Sequence, residues 1–318
     1  IASIVRGITK LGKIKYRGID RYVENLRKMF VAIAADVRVI LVKFADRIHN
    51  LNTLSALPEI KQKRIALESL EIYAPIANRL GMSEMCSQLE DLAFKYVMPT
   101  EFAWVTDLLT HGVKVRKGYI DKVVKMVELF LEKNSVHYFT VYGRVKHPYS
   151  LYRKLVKHDN NISRIRDLIA VRVIVSSIAD CYAVLGIIHQ QWKPFRGRIK
   201  DYIAQPKPNG YQSLHTTVFC EGGEVVEFQI RTQQMHEEAE RGIAAHWRYD
   251  EDGKSSSAKV KTQLAWVQDL VREQKKIKNN TQYLESLESM KVDFFRHRIF
   301  VFTPKGDVID LPEGSTPI

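Results

Sequence analysis

The stretch Lys200-Asp201-Tyr202-Ile203-Ala204-Gln205-Pro206-Lys207-Pro208-Asn209-Gly210-Tyr211-Gln212-Ser213-Leu214-His215 concentrates side chains able to hold a nucleotide. Its two prolines and Asn209-Gly210 read as a turn, which projects the flanking side chains into one place. An aromatic face, an amide, a hydroxyl, an imidazole and a lysine converging there suit a base plus phosphates. A plainer reading is a hairpin turn with an incidental tyrosine. Further on, Val226, Phe228 and Ile230 alternate with Glu227, Gln229 and Arg231, the two sides of one strand. Glu227 is then either solvent-facing or a base or metal ligand aimed into a cleft. Asp167 opens another apolar run just after Arg164 and Arg166. Two carboxylates at strand positions, with a basic helix nearby, provide what magnesium-assisted phosphoryl-type transfer requires. The metal takes hard oxygen ligands, and cations neutralise charge building on the phosphates.

Two other patterns compete for attention. Met235-His236-Glu237-Glu238-Ala239-Glu240 begins like the zinc-protease H-E-x-x-H motif but has Glu at position 240, so a surface helix with ordinary charge pairs is expected. In Lys43-Phe44-Ala45-Asp46-Arg47-Ile48-His49-Asn50, Asp46, His49 and Asn50 share roughly one helical face. A metal site there needs more ligands, and the next histidine is His111.

The elements that must carry these residues change character along the chain. The first third reads as helical: Ala66, Leu70, Tyr73, Ala77 and Leu80 recur at three- and four-residue spacing, Pro75 should kink that helix, and Gly81 should end it. Leu108, His111, Val115 and Ile120 to Leu131 continue the pattern. From Val136 strands alternate with helices: strands over Val136 to Tyr142, Leu168 to Val175, Leu214 to Phe219 and Val225 to Ile230, a basic helix over Tyr149 to His158, and a helix from Cys181 to Trp192 capped by Asp180. Such interleaving implies a mixed sheet covered by helices. Asp250 to Lys259 reads as a linker, Leu264, Val267 and Val271 as part of a helix, and Arg298 to Phe302 with Val308 to Leu311 as a hairpin.

With 318 residues, 27% charged and 45% hydrophobic, the chain fits two or three globular domains. No apolar run reaches membrane-spanning length. Isolated Cys86, Cys181 and Cys220 exclude a disulfide framework and suggest reduced cytoplasm. Because it starts at Ile1 and stops as the last hairpin module begins, truncation at both ends is expected. The net charge of +13 calls for an anionic partner, either nucleic acid or nucleotide phosphates. From Val136 to Arg166 seven Lys and Arg face one acid, Asp159, a clustering that favours phosphates.

The motifs, in order, resemble one family. Gly143-Arg144-Val145-Lys146-His147-Pro148-Tyr149-Ser150-Leu151-Tyr152-Arg153-Lys154 looks like its first synthetase signature. Asp167 to Arg172, Arg198 to His215, Val226 to Thr232 and Gly242-Ile243-Ala244-Ala245-His246-Trp247 follow. This is the RelA/SpoT-homologue family of (p)ppGpp synthetase/hydrolases.

The resemblance implies a multidomain α plus α/β chain: the C-terminal part of a helical HD-type hydrolase domain (1–114) and a connecting helix (115–135), then a nucleotidyltransferase-like mixed-sheet synthetase domain (136–250), a linker and helix (251–293), and the start of a β-rich TGS domain (294–318). The implied reaction transfers pyrophosphate from ATP to the ribose 3′-hydroxyl of GDP or GTP with Mg2+. By motif position, Asp167 and Glu227 would hold magnesium, with Glu227 also the base. Arg144, Lys146, Ser150 and Lys154 would bind ATP and its phosphates. Tyr211 would stack on guanine, with Lys200, Asn209 and His215 around the acceptor.

The Arg198-Ile199-Lys200-Asp201 signature resembles the bifunctional branch. Asp46, Asn50 and Thr53 would be remnants of the Mn2+ hydrolase site, whose other ligands are expected upstream of Ile1. Ribosome or tRNA contact would fall to the missing C-terminal region. The rival reading is a catalytically silent RNA- or ribosome-binding segment; it sits poorly with the retention of both Asp167 and Glu227.

Overall fold

The computed structural model describes residues 31–32, 36, 38–165, 168–207, 209–245, 298–302 and 308–312. Asp167, His246-Trp247, the linker and the helix expected around 264–271 lie outside them. Two compact units emerge: Ile1–Asp46 with Lys254–Ile318, and Arg47–Gly253. In the first, β7 (Arg298–Phe302) and β8 (Val308–Pro312) form the expected antiparallel hairpin, with Phe302 opposite Val308.

Helix α1 (Arg38–Asn52) leads into the second unit. Helix α2 (Glu59–Glu68) passes through a π-helical turn, Ser69–Tyr73, into α3 (Ala74–Arg79). Pro75 offers no N–H to the carbonyl four residues back, and the widened turn absorbs that loss beside it. Gly81, at φ 74°, ends α3 as expected. Its N–H bonds Asn78 O at 3.0 Å and that of Met82 bonds Ala77 O at 2.9 Å, the paired bonds of a glycine-terminated helix.

Helices α4 (Ser83–Val97) and α5 (Pro99–Lys133) follow. The boundary expected between 114 and 115 falls inside α5, which at 35 residues is about 50 Å long. Early in α5, Val105 and Leu109 pack with Phe94 of α4, while Ile120, Val123, Val127 and Leu131 pack on the sheet. One helix serves two cores, so the chain does not divide there.

The sheet runs β1-β2-β6-β5-β3, with β4 paired to β5. The strands are β1 (Tyr138–Val145), β2 (Ile169–Val175), β3 (Lys193–Pro194), β4 (Lys200–Asp201), β5 (Leu214–Phe219) and β6 (Val225–Thr232). Strands β2 and β6 are parallel and the other pairs antiparallel, giving the expected mixed sheet. Strand β1 starts two residues later than expected and continues through Gly143-Arg144. The basic helix is α6 (Pro148–Lys157). Helix α7 (Ile178–Gln191) is capped by Ser177, not Asp180. Asp180 sits at the third position and returns the bond, because a capping box needs the hydroxyl outside and the carboxylate one turn in. Helix α8 (Gln233–Arg241) follows β6.

Alternation divides the sheet into two faces. Val171, Val173, Phe228, Ile230 and Val218 pack with α5 and α7 in the main core. The opposite face carries the polar side chains and meets α8.

Candidate active site

Register gathers four of the expected site residues onto that polar face. Arg144 pairs with Ala170, Ala170 with Glu227, Gln229 with His215, and His215 with Lys200. Cross-strand partners point to the same side, so four strands present Arg144, Glu227, His215 and Lys200 together.

At its centre, Glu227 Oε1 accepts from Gln229 Nε2 at 3.0 Å and lies 3.3 Å from His215 Nδ1. The carboxylate can only accept, so Nδ1 carries the proton and Nε2 accepts from the Tyr211 hydroxyl 2.8 Å away. Burial lowers the His215 pKa, against the raising effect of Glu227. A neutral imidazole of fixed tautomer therefore bridges Tyr211 and Glu227.

The Tyr211 ring does not stand free. It meets His215 edge-on at 5.8 Å, and the Lys207 ammonium lies 4.9 Å from its centre and 4.6 Å from that of Tyr202. Burial, then Lys200, lowers the Lys207 pKa, although the residue as a whole is exposed. Asn209 shapes the same turn: its Oδ1 accepts from Tyr211 N at 3.3 Å and its Nδ2 donates to Asn78 O at 3.3 Å, at the end of α3.

Glu227 and Lys154 line an open cleft together with His158, Arg164, Phe195 and Arg198. The last four were not singled out as ligands from the sequence, although Arg164 belongs to the basic run and Arg198 to the Arg-Ile-Lys-Asp signature. Ser150 lies one turn before Lys154 on α6, and Lys146 N donates to Leu168 O at 3.1 Å, tying the loop before α6 to the start of β2. Arg144 is half-buried, its pKa lowered by burial and then by Arg172.

The rest of the polar row is buried. Arg172 and Arg231 are 5% and 1% exposed, and both donate to Glu240 Oε1, at 2.8 and 2.9 Å. Arg231 also donates to His236 Nδ1 at 2.8 Å, and burial followed by Arg231 brings His236 down to about 4. The face of α8 read as ordinary surface charge is instead the lid of this network, and both His236 and Glu240 are engaged by arginine.

Of the residues expected as hydrolase remnants, Asp46 lies 3.9 Å from Lys43 Nζ, Asn50 is exposed, and Thr53 Oγ1 donates to His49 O at 3.0 Å. Among the described residues no three His, Cys, Asp or Glu cluster as a metal site. Magnesium needs fewer protein ligands, because it binds through one or two carboxylates plus substrate phosphates. Glu227, a hard-oxygen donor on the cleft wall beside Lys154, fits that demand.

Comparison with known proteins gives this arrangement its family. Residues 143–254 match the region found in RelA and SpoT proteins, and residues 1–83 match an HD domain. The chain belongs to the RelA/SpoT family. All of it aligns, at 46% identity, with 42% of a GTP pyrophosphokinase from Myxococcus xanthus. It aligns equally, at 46% identity, with 44% of a guanosine-3′,5′-bis(diphosphate) 3′-pyrophosphohydrolase from Aquifex aeolicus. The chain thus spans less than half the length of these relatives, which are named for opposite reactions. The crystal structure of small alarmone synthetase 2 from Bacillus subtilis shares 24% identity over 53% of this chain and 97% of its own, at a TM-score of 0.37.

Proposed function

We propose that this chain is the pyrophosphokinase part of a bifunctional-type alarmone enzyme, transferring pyrophosphate from ATP to the ribose 3′-hydroxyl of GDP or GTP. The observation that carries the reading is one juxtaposition: Glu227 and Lys154 share a cleft, and His215 and Tyr211 lead away from Glu227 toward the Asn-Gly turn. The name of the Myxococcus xanthus relative supports it.

The acceptor oxygen attacks the β-phosphorus of ATP, the bond from that phosphorus to the α–β bridging oxygen breaks, and AMP leaves. The 3′-hydroxyl proton passes to Glu227. His215, neutral and held by Tyr211, donates to Glu227 and keeps the carboxylate aimed. Lys154, Ser150, Lys146 and Arg144 serve the ATP phosphates, Lys200 those of the acceptor, and Asn209 and Tyr211 its base. A magnesium ion held by Glu227 and Asp167, when bound, supplies further charge neutralisation at the phosphates.

In the same reading, 136–250 is the synthetase region, the preceding helices belong to the hydrolase side with Asp46, Asn50 and Thr53 in its manganese site, and the 298–312 hairpin opens a TGS domain. Cytoplasm is the proposed location; no described helix is long and apolar enough to cross a membrane. The deciding experiment is mass spectrometry of products after mixing the protein with ATP, GDP or GTP, and magnesium. Appearance of AMP with ppGpp or pppGpp is expected; nucleotides returned unchanged would overturn the reading.

A further inference from the structure

Helix α6, which carries Ser150 and Lys154, has an incomplete N-terminus of its own. Pro148 in its first turn has no N–H, and His147 at the cap position makes no side-chain capping bond. The missing acceptor comes from another helix. Asp91 of α4 accepts from Tyr149 N through Oδ1 at 3.0 Å, and its Oδ2 lies 3.0 Å from His147 Nδ1, which must therefore be the donor. A carboxylate at this end also complements the helix dipole.

The contact extends along the helix. Arg153 Nη1 lies 3.6 Å from Glu90 Oε1, and Phe94 packs against Tyr149 and Tyr152 at ring separations of 5.3 and 5.0 Å. Tyr149, Tyr152 and Arg153 thus turn toward α4, while Lys154 lines the cleft with Glu227.

We infer that Asp91 is a positioning residue for the donor side of the transfer: by capping α6 from α4, it sets where Ser150 and Lys154 stand. The inference deepens the pyrophosphokinase reading and rests on it. Two bonds to one carboxylate fix both the axial position and the rotation of a ten-residue helix. Loss of the cap lets α6 fray or slide by an ångström at the turn that holds Ser150. Displacement on that scale is enough to cost a large factor at a phosphate site. The acceptor residues Lys200, Tyr211 and His215 sit on other elements and are left in place.

The test compares Asp91→Ala and Asp91→Asn in the full-length protein. It reads KM for ATP, KM for GDP, kcat, and calorimetric binding of a non-hydrolysable ATP analogue without acceptor. Asp91→Ala is expected to raise KM for ATP and weaken the analogue about tenfold, leaving KM for GDP within about twofold. Asp91→Asn can still accept from Tyr149 N and should recover most of the loss. Unchanged analogue binding in a folded Asp91→Ala protein overturns the inference, as do equal losses for donor and acceptor. Should Asp91→Ala not fold, His147→Ala, which removes one of the two bonds to Asp91, decides: a donor-specific loss supports the inference, and its absence overturns it. Because the analogue reads binding alone, a wild-type protein that binds it yet makes no alarmone defeats the transfer reading without touching this result.

Discussion

The Lys207 ammonium lies 4.9 Å from the centre of the Tyr211 ring, so an aromatic face expected to receive guanine already faces a cation. The hydroxyl of the same tyrosine is committed to His215. Tyr211 thus has two separable parts, a ring for stacking and a hydroxyl that holds the imidazole beside Glu227.

Substitution should separate them. Tyr211→Ala is expected to weaken GDP use about five- to a hundredfold, matching a stack of about 1–3 kcal/mol, with ATP affinity nearly unchanged. Tyr211→Phe keeps the ring and should lose less in KM for GDP, yet it leaves His215 Nε2 without its donor and should lower kcat. Steady-state kinetics on both variants, with melting curves as a control, checks this. Equal damage to ATP and GDP use would make Tyr211 structural.

Glu227→Gln is nearly isosteric but removes the charge that accepts from Gln229 and His215. Turnover should fall by about a hundredfold or more, the range for loss of a general base, with nucleotide binding retained. Rapid-quench assays beside binding measurements test the assignment, and near-normal turnover in a folded variant defeats it.

Glu240 answers two buried guanidiniums, Arg172 and Arg231, through one oxygen. Breaking such a pair strands buried charge, so Glu240→Ala should cost about 3–5 kcal/mol in chemical denaturation. An equally stable variant would mean that water solvates both arginines once the carboxylate is gone.

Burial pushes Glu90 up to about 7, opposed by Arg153 and His147 and reinforced by Asp91, with Cys86 also in contact. The ordinary value is 4.5, so between about 4.5 and 7 the folded state binds more protons than the unfolded one. Stability from this group is therefore greatest at low pH and is lost as pH rises through that window, by up to about 3 kcal/mol. Glu90→Gln should flatten that slope and raise the melting temperature at pH 8 relative to wild type. Parallel pH–stability curves for the two proteins would refute the sign or the site.

Much of this was legible along the chain because it depends on local pattern. Alternation in Val225 to Arg231 separated Glu227, Gln229 and Arg231 from the apolar side. The Asn209-Gly210 turn marked the Tyr211 and His215 pair, the basic run at α6 marked one wall of the cleft, and Gly81 was a visible helix stop. Local pattern also misled: Asp180 resembled a cap because only backbone geometry distinguishes the residue outside a helix from its third residue.

What the tertiary structure alone decided concerns partners far apart in sequence. Asp91 and Tyr149 are 58 positions apart, and Arg172 and Glu240 are 68 apart. No spacing rule links them, since their meeting depends on how α4 lies against α6 and α8 against the sheet. Nor could the pattern show that α5 serves two cores, or that Arg231 of β6 is roofed by α8 while Glu227 on the same side opens onto a cleft. Alternation tells which residues share a face; only packing determines what covers it, and that burial lowers the pKa of His215 and His236.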